Sequence, residues 1–187
     1  MKPWMGLSLS LLLLGGCFPS SQDIYDAQPR FEAKPSSVLF FKNTRSVFYD
    51  REEKKNTTIE IFYPSKPTAE PSQPGFLWFM AYNRTQEMAY VFNEPGKALE
   101  KDSCVQVEWH WNRTVDETTL IAKRPCPGIY PEENFRFLVQ SYSQLDADRV
   151  GYLRLASGGL SPMFPTLENK RRFMRLVRDY LELVDVI

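Results

Sequence analysis

Three thiols and one imidazole hold most of the reactive chemistry this 187-residue chain carries. Cys17 follows Leu14, Gly15 and Gly16. The two glycines leave the backbone open to a peptidase, and the thiol can form a thioether because its thiolate is a strong nucleophile. Cys104 and Cys126 are the other two cysteines. An even pair in an oxidising compartment reads most simply as a disulfide, which the chain-entropy view values at about 3 kcal/mol for a loop of this length. Two free buried thiols are the alternative. His110 is the only histidine. One imidazole rules out a two-histidine metal site within one chain and leaves any Ser-His-Asp arrangement a single ring to use. Glu108 lies two residues before it, so the two share a strand face and could trade a proton. A pair of polar strand-surface residues is the plainer reading.

Other reaction signatures are missing. There is no Gly-x-Ser-x-Gly elbow, phosphate-cradling glycine loop or dinucleotide fingerprint. Asp146, Asp148 and Gly151 start like a calcium loop. Val150 and Ser157 then stand where a ligand and the bidentate Glu belong, so residues 146–151 read as a helix-to-strand turn. The expectation is a protein that is not an enzyme and takes no metal or cofactor.

Lys2 precedes an apolar run at residues 7–14. Eight residues are far short of the roughly 20 needed to cross a bilayer, so the run reads as the core of an export signal. Leu14-Gly15-Gly16-Cys17 resembles the lipobox of bacterial lipoproteins. The resemblance implies a diacylglycerol on the Cys17 thiol, cleavage before it and acylation of the new amine. With roughly 0.8 kcal/mol for each buried CH₂, such chains hold a protein on the membrane. It further implies a signal peptide at 1–16; proline content and scarce apolar residues then read 17–35 as the lipidated tether, and length leaves one globular domain at 36–187. Phe18 stands where an Asp would imply inner-membrane retention, so the implied address is the outer membrane, with the domain facing periplasm or exterior. The stretches "LFFKNTRSVFYD" and "MAYNRTQEMAYVF" resemble small lipoproteins of Bacteroidota-type bacteria, which implies an address and no activity.

Composition agrees with one domain. Lys plus Arg equals Asp plus Glu at 23 each, which excludes a globally basic, nucleic-acid-binding surface. Aromatic residues are abundant, with 13 Phe, 9 Tyr and 4 Trp. Asn56, Asn83 and Asn112 each begin Asn-x-Thr at expected turns, which would be glycan acceptors in a eukaryotic secreted chain and are chance beside a lipobox.

The elements that must position these residues follow from pattern. Residues 18–35 are polar and proline-containing, and about 18 flexible residues reach about 25 Å. Residues 37–50 are rich in Val and aromatics and read as a strand, with a charged turn at 51–56. At 57–63, Ile59, Ile61 and Tyr63 alternate with Thr58, Glu60 and Phe62. Residues 64–75 hold four prolines and read as an exposed loop, or as a ligand for a partner. Residues 76–82 and 87–93 form a hairpin whose first strand is apolar on both faces and so belongs mid-sheet. Residues 104–112 and 118–126 form a second hairpin. There Val107, Trp109 and Trp111 face one way and Glu108 and His110 the other, and Cys104 and Cys126 fall nearly opposite at its open end. Pro131 with Glu132 and Glu133 opens a helix carrying Phe135, Leu138, Val139 and Tyr142 on one face. A strand at 149–157 follows. Thr166 caps a last helix with Phe173, Leu176, Val177, Tyr180 and Val184 inward. The expected class is α+β: one antiparallel sheet of about 6–7 strands with two C-terminal helices packed on it.

Two surfaces are candidates for binding. Trp78, Tyr82, Trp109 and Trp111 form core or line a groove for a small ligand or glycan. Arg171, Arg175 and Arg178 make a basic stripe on the last helix, suited to anionic headgroups or an acidic partner, or simply solvated. The expected role is an outer-membrane-anchored accessory or scaffold protein of the envelope, with a membrane contact through lipid and a protein partner. The alternative is a ligand- or glycan-binding lipoprotein.

Overall fold

The computed structural model describes residues 24, 26–64, 76–95, 106–111, 120–123, 130–155 and 157–187. Cys17, Cys104, Cys126, the expected signal peptide at 1–16, most of the proline-rich loop and Asn112 lie outside the described residues. The class is α+β, but the strands form two antiparallel sheets of four rather than one larger sheet. The first is a meander of β1 (Asp50–Glu53), β2 (Ile59–Tyr63), β3 (Phe76–Asn83) and β4 (Met88–Pro95). The second runs β6 (Leu120–Lys123), β5 (Gln106–Trp111), β7 (Arg149–Arg154), β8 (Leu160–Pro162).

A strap explains why β5 does not extend the first sheet. Ala89 N–H donates to Phe31 O at 2.7 Å, Ala33 N–H donates to Glu87 O at 2.8 Å, and Glu32 bridges to Met88. These bonds occupy the start of the β4 edge that another strand would need. Phe31 also stacks on Tyr90 at 5.4 Å, Tyr180 Oη donates to Arg30 O at 3.0 Å, and Ile24 and Ala33 are buried. The expected tether at 17–35 is therefore corrected: from Ile24 on, this segment is part of the domain. Its polar residues face outward while single apolar residues anchor it.

The expected strand at 37–50 is also corrected. Helix α1 (Pro35–Phe40), with proline in its first turn, continues into a π-helical turn Phe41–Arg45 and a 3₁₀ turn Ser46–Phe48. Val38 and Phe41, three apart, turn inward, and Leu39, Phe40, Val47 and Phe48 stay exposed. Thr44 Oγ1 donates to Phe40 O at 2.7 Å and Ser46 Oγ to Lys42 O at 2.6 Å, back-bonds that suit a bent helical segment. Burial of a helical face here outweighs the β-propensity of Val and Phe.

Helix α2 (Pro131–Asp146) packs on both β4 and β7, so it joins the two sheets over one core. Helix α3 (Leu167–Leu183) packs on β3 and β4, with Phe173, Leu176, Val177 and Tyr180 buried and Thr166 Oγ1 accepting from Asn169 N–H at 3.1 Å. The expected Thr166 cap, the Pro131, Glu132 and Glu133 first turn of α2 and the inward faces of both helices stand. So does the 76–93 hairpin, whose turn is held by Asn83 Oδ1 accepting from Thr85 N–H at 3.1 Å. In β2 both faces are covered, with Ile61 buried on one and Glu60 and Phe62 on the other. Phe62 joins the core, and Glu60 on the same face is buried among Lys42 (2.9 Å), Arg51 (3.2 Å) and Arg84 (3.5 Å). Those cations let a carboxylate take an inward position that alternation would give to an apolar residue.

Candidate functional site

The expected aromatic binding set does not come together. Trp78, Tyr82 and Trp109 are core residues, with Trp109 fully buried. Trp78 stacks on Phe137 of α2 at 5.5 Å and meets Phe173 of α3 at 4.8 Å. The helices thus cover the strand face that a groove would need. Gly151 faces Trp109 across β5 and β7, where a β-carbon would stand 2.8 Å from the indole, so the ring fills the space a side chain would take. Trp111 alone of the four is open, 44% exposed, with the Arg149 guanidinium 4.7 Å above its ring.

Glu108 and His110 do meet. His110 Nε2 lies 3.5 Å from Glu108 Oε2, and Arg154 pairs with the other carboxylate oxygen. Both residues are buried, on the face of β5 away from Trp109, with His110 edge-on to Tyr152 at 5.3 Å. Arg154 holds the carboxylate as an ion-pair partner. Asp148 has φ of 59° and carries the turn from α2 into β7, as read from sequence. Among the described residues, no group of three or more His, Cys, Asp or Glu is placed to hold a metal. No described helix is long and apolar enough to cross a membrane.

The structure brings Arg171, Arg175 and Arg178 onto a trough of about 1190 Å³ beside α3. Leu167, Lys170, Arg171, Met174, Arg175, Arg178 and Glu182 recur at helical spacing along one wall, about 22 Å at 1.5 Å per residue. Ser36, Ser37, Phe40 and Arg45 form the opposite wall, and Tyr142 and Ile24 complete it. Sequence reading missed this second wall because 37–50 carried a strand signal. A strand would have sent alternate residues to opposite faces, separating Phe40 from Arg45.

One buried contact ties the walls together. Tyr49 Oη donates to Asp179 Oδ2 at 2.7 Å, and Arg45 Nε stands 3.5 Å from Asp179 Oδ1. Asp179 is 2% exposed. Burial raises its carboxyl above the ordinary range, while the Tyr49 hydrogen bond and the Arg45 charge pull it back down. Burial, with Asp179 beside it, pushes the Tyr49 phenol up.

The trough's charges are unequal. Arg45 lies 3.6 Å from Glu182 as well as close to Asp179, and Lys34 pairs with Asp185, so the acidic groups at the end of α3 are matched. Lys170 is 3.8 Å from Asp148. Among the described residues, Arg171, Arg175 and Arg178 form no ion pair. Arg175 instead lies 4.3 Å over the exposed Phe48 ring, and Arg178 Nε donates to Tyr142 Oη at 2.9 Å. Arg172, in the same basic run, pairs with Glu168 at 2.9 Å. The arrangement is a cationic trough with Phe40 in its wall and Phe48 under Arg175, on a segment that also exposes Leu39 and Val47, able to hold an anionic group next to apolar surface. Comparison of the chain with family models, with curated proteins and with solved structures gives no match.

Proposed function

We propose that the protein is a lipid-anchored, non-catalytic accessory protein of the outer membrane that works by binding, and that the trough beside α3 is its binding surface. Leu14-Gly15-Gly16-Cys17 supports the address. The observation that carries the mode of action is the stripe of Arg171, Arg175 and Arg178, exposed and in no ion pair among the described residues, beside exposed Phe40 and Phe48. Matched surface charges contribute little and need no partner. Three unmatched guanidiniums along one trough, next to apolar side chains, suit an anionic component of the envelope. Burial of Trp78, Tyr82 and Trp109 leaves only Trp111 of the four rings open, which weighs against the glycan-binding reading.

The test is an envelope pull-down with wild-type protein and with R171E/R175E/R178E, beside metabolic labelling with palmitate. Label on wild type and none on Cys17→Ser supports the anchor. A stoichiometric envelope component held by wild type and lost in the triple variant supports the trough. Retention of the same component by the triple variant would sink it.

A further inference from the structure

We infer that the trough and ledge lie against the membrane itself, with the phosphates of anionic phospholipids as the group that the Arg stripe meets. The inference rests on the reading of Cys17 as the lipidated residue and goes on to orient the domain. Its first support is the length of chain between anchor and fold. A free tether to residue 35 would let the domain turn any face to the bilayer. The strap bonds at Phe31 and Ala33 remove that freedom, and the first described residue, Ile24, is buried and lines the trough. Only six residues, 18–23, separate Cys17 from Ile24, so seven Cα-to-Cα steps join them. Seven such steps reach at most about 24 Å. The face that receives the chain is therefore the face held nearest the lipid.

The second support is what that face carries. Lys170, Arg171, Arg175 and Arg178 stand on α3, and the acidic lining residues Asp179, Glu182 and Asp185 are matched by Arg45 and Lys34. Basic groups within a screening length of about 8 Å of an anionic surface attract it at physiological salt. Leu39 is 61% and Val47 79% exposed, on the segment that also presents Phe40 and Phe48. Apolar and aromatic side chains beside arginines are the composition of a surface that settles into the headgroup layer. An acidic protein segment would satisfy the charges. It would leave unexplained why they gather where the anchor enters.

Hydrogen exchange on the full lipidated protein in nanodiscs tests this. One set of discs contains phosphatidylglycerol with phosphatidylethanolamine, the other phosphatidylcholine alone. Amides of residues 35–48 and 167–178 are expected to exchange at least about tenfold more slowly on the anionic discs at low salt, with the difference shrinking as salt screens it. R171E/R178E keeps Arg175 on Phe48 and is expected to lose the protection. R171Q/R178Q is expected to lose part of it. K54E/K55E makes the same change in net charge at the distant β1–β2 turn and is expected to keep it. Equal exchange on both discs overturns the inference, as does equal loss in K54E/K55E. Protection that appears only when envelope protein is added overturns it in favour of a protein partner. Palmitate labelling is read separately, so a labelled protein with no protection refutes the orientation alone, and an unlabelled one refutes the anchor.

Discussion

Replacing Tyr49 by Phe removes one oxygen and isolates the contact that joins the two walls of the trough. Tyr49 and Asp179 are both buried, and the phenol donates to the carboxylate at 2.7 Å. Arg45 is 3.5 Å from the other oxygen. A hydrogen bond to a charged group contributes about 1.5–3 kcal/mol net, and a buried acceptor left without its donor loses the full amount. The expected cost is about 2 kcal/mol at pH 7. In a chain of this size that lowers the melting temperature by about 4–8 °C. Trp78 and Trp109 are buried, so urea unfolding followed by their fluorescence reads the loss. The pH dependence has a definite sign. The folded-state carboxyl of Asp179 titrates above its ordinary value of 3.8. Its titration therefore favours the folded state fully below that value, and the advantage is lost as pH rises through the folded-state value. The phenol's bond to the ionised carboxylate opposes that loss. The cost of Tyr49→Phe is thus full at neutral pH and shrinks as acid protonates Asp179. In a double-mutant cycle with Asp179→Asn, the two substitutions are expected to couple by about 1 kcal/mol or more. A cost below about 0.5 kcal/mol at pH 7, or one unchanged down to about pH 3.5, would refute the reasoning.

Gly151→Ala places a β-carbon 2.8 Å from the fully buried Trp109 ring and is expected to cost about 1–3 kcal/mol in urea unfolding, with a shift in tryptophan emission as the indole moves. Thr166→Ala removes the side chain that caps α3 and is expected to cost about 1 kcal/mol, most of it recovered by Thr166→Ser. Lys34 holds the exposed Asp185 carboxyl below its ordinary 3.8. The contribution of that pair is present above 3.8 and lost as pH falls through the lower folded-state value. Protection factors at Ala33 and Ala89, the strap amides, are therefore expected to fall in acid for wild type and to be lower and flatter with pH in Lys34→Met.

The helices were legible because their burial repeats at the period the chain displays. Phe135, Leu138, Val139 and Tyr142 are all buried, and Thr166 caps the helix it precedes. The β3–β4 hairpin was legible because Asn83 both ends a strand and hydrogen-bonds its own turn. Elsewhere the deciding term was a distant partner. Residues 37–50 have strand composition, yet Val38 and Phe41 find their core at a helical spacing. Glu60 looks like a solvent-facing residue until Lys42, Arg51 and Arg84 gather round it from three separate segments. The division into two sheets depends on the strap capping the β4 edge, and nothing local to 24–34 announces that pairing. For the candidate site, the Arg stripe on α3 was readable because it lies on one helix. The wall across from it was not, since Arg45 and Phe40 share the trough only if their segment is helical.

The same non-local contacts that hid half of the trough also give it rigidity. Leu39, Phe40, Val47 and Phe48 are exposed on a short helical segment that would be marginal alone. Val38 and Phe41 pin it to the core, and Tyr49 ties its end to Asp179, next to Arg178 at the end of the Arg stripe. Apolar side chains held outward on a pinned segment are not the residue of a poorly packed core, because the inward positions of that segment are already filled. Their exposure is built by the backbone's helical turn, with Phe40 in the wall across from the arginines and Phe48 under Arg175. A scaffold that fixes charge and apolar surface together on one pinned wall is organised to bind an anionic group there.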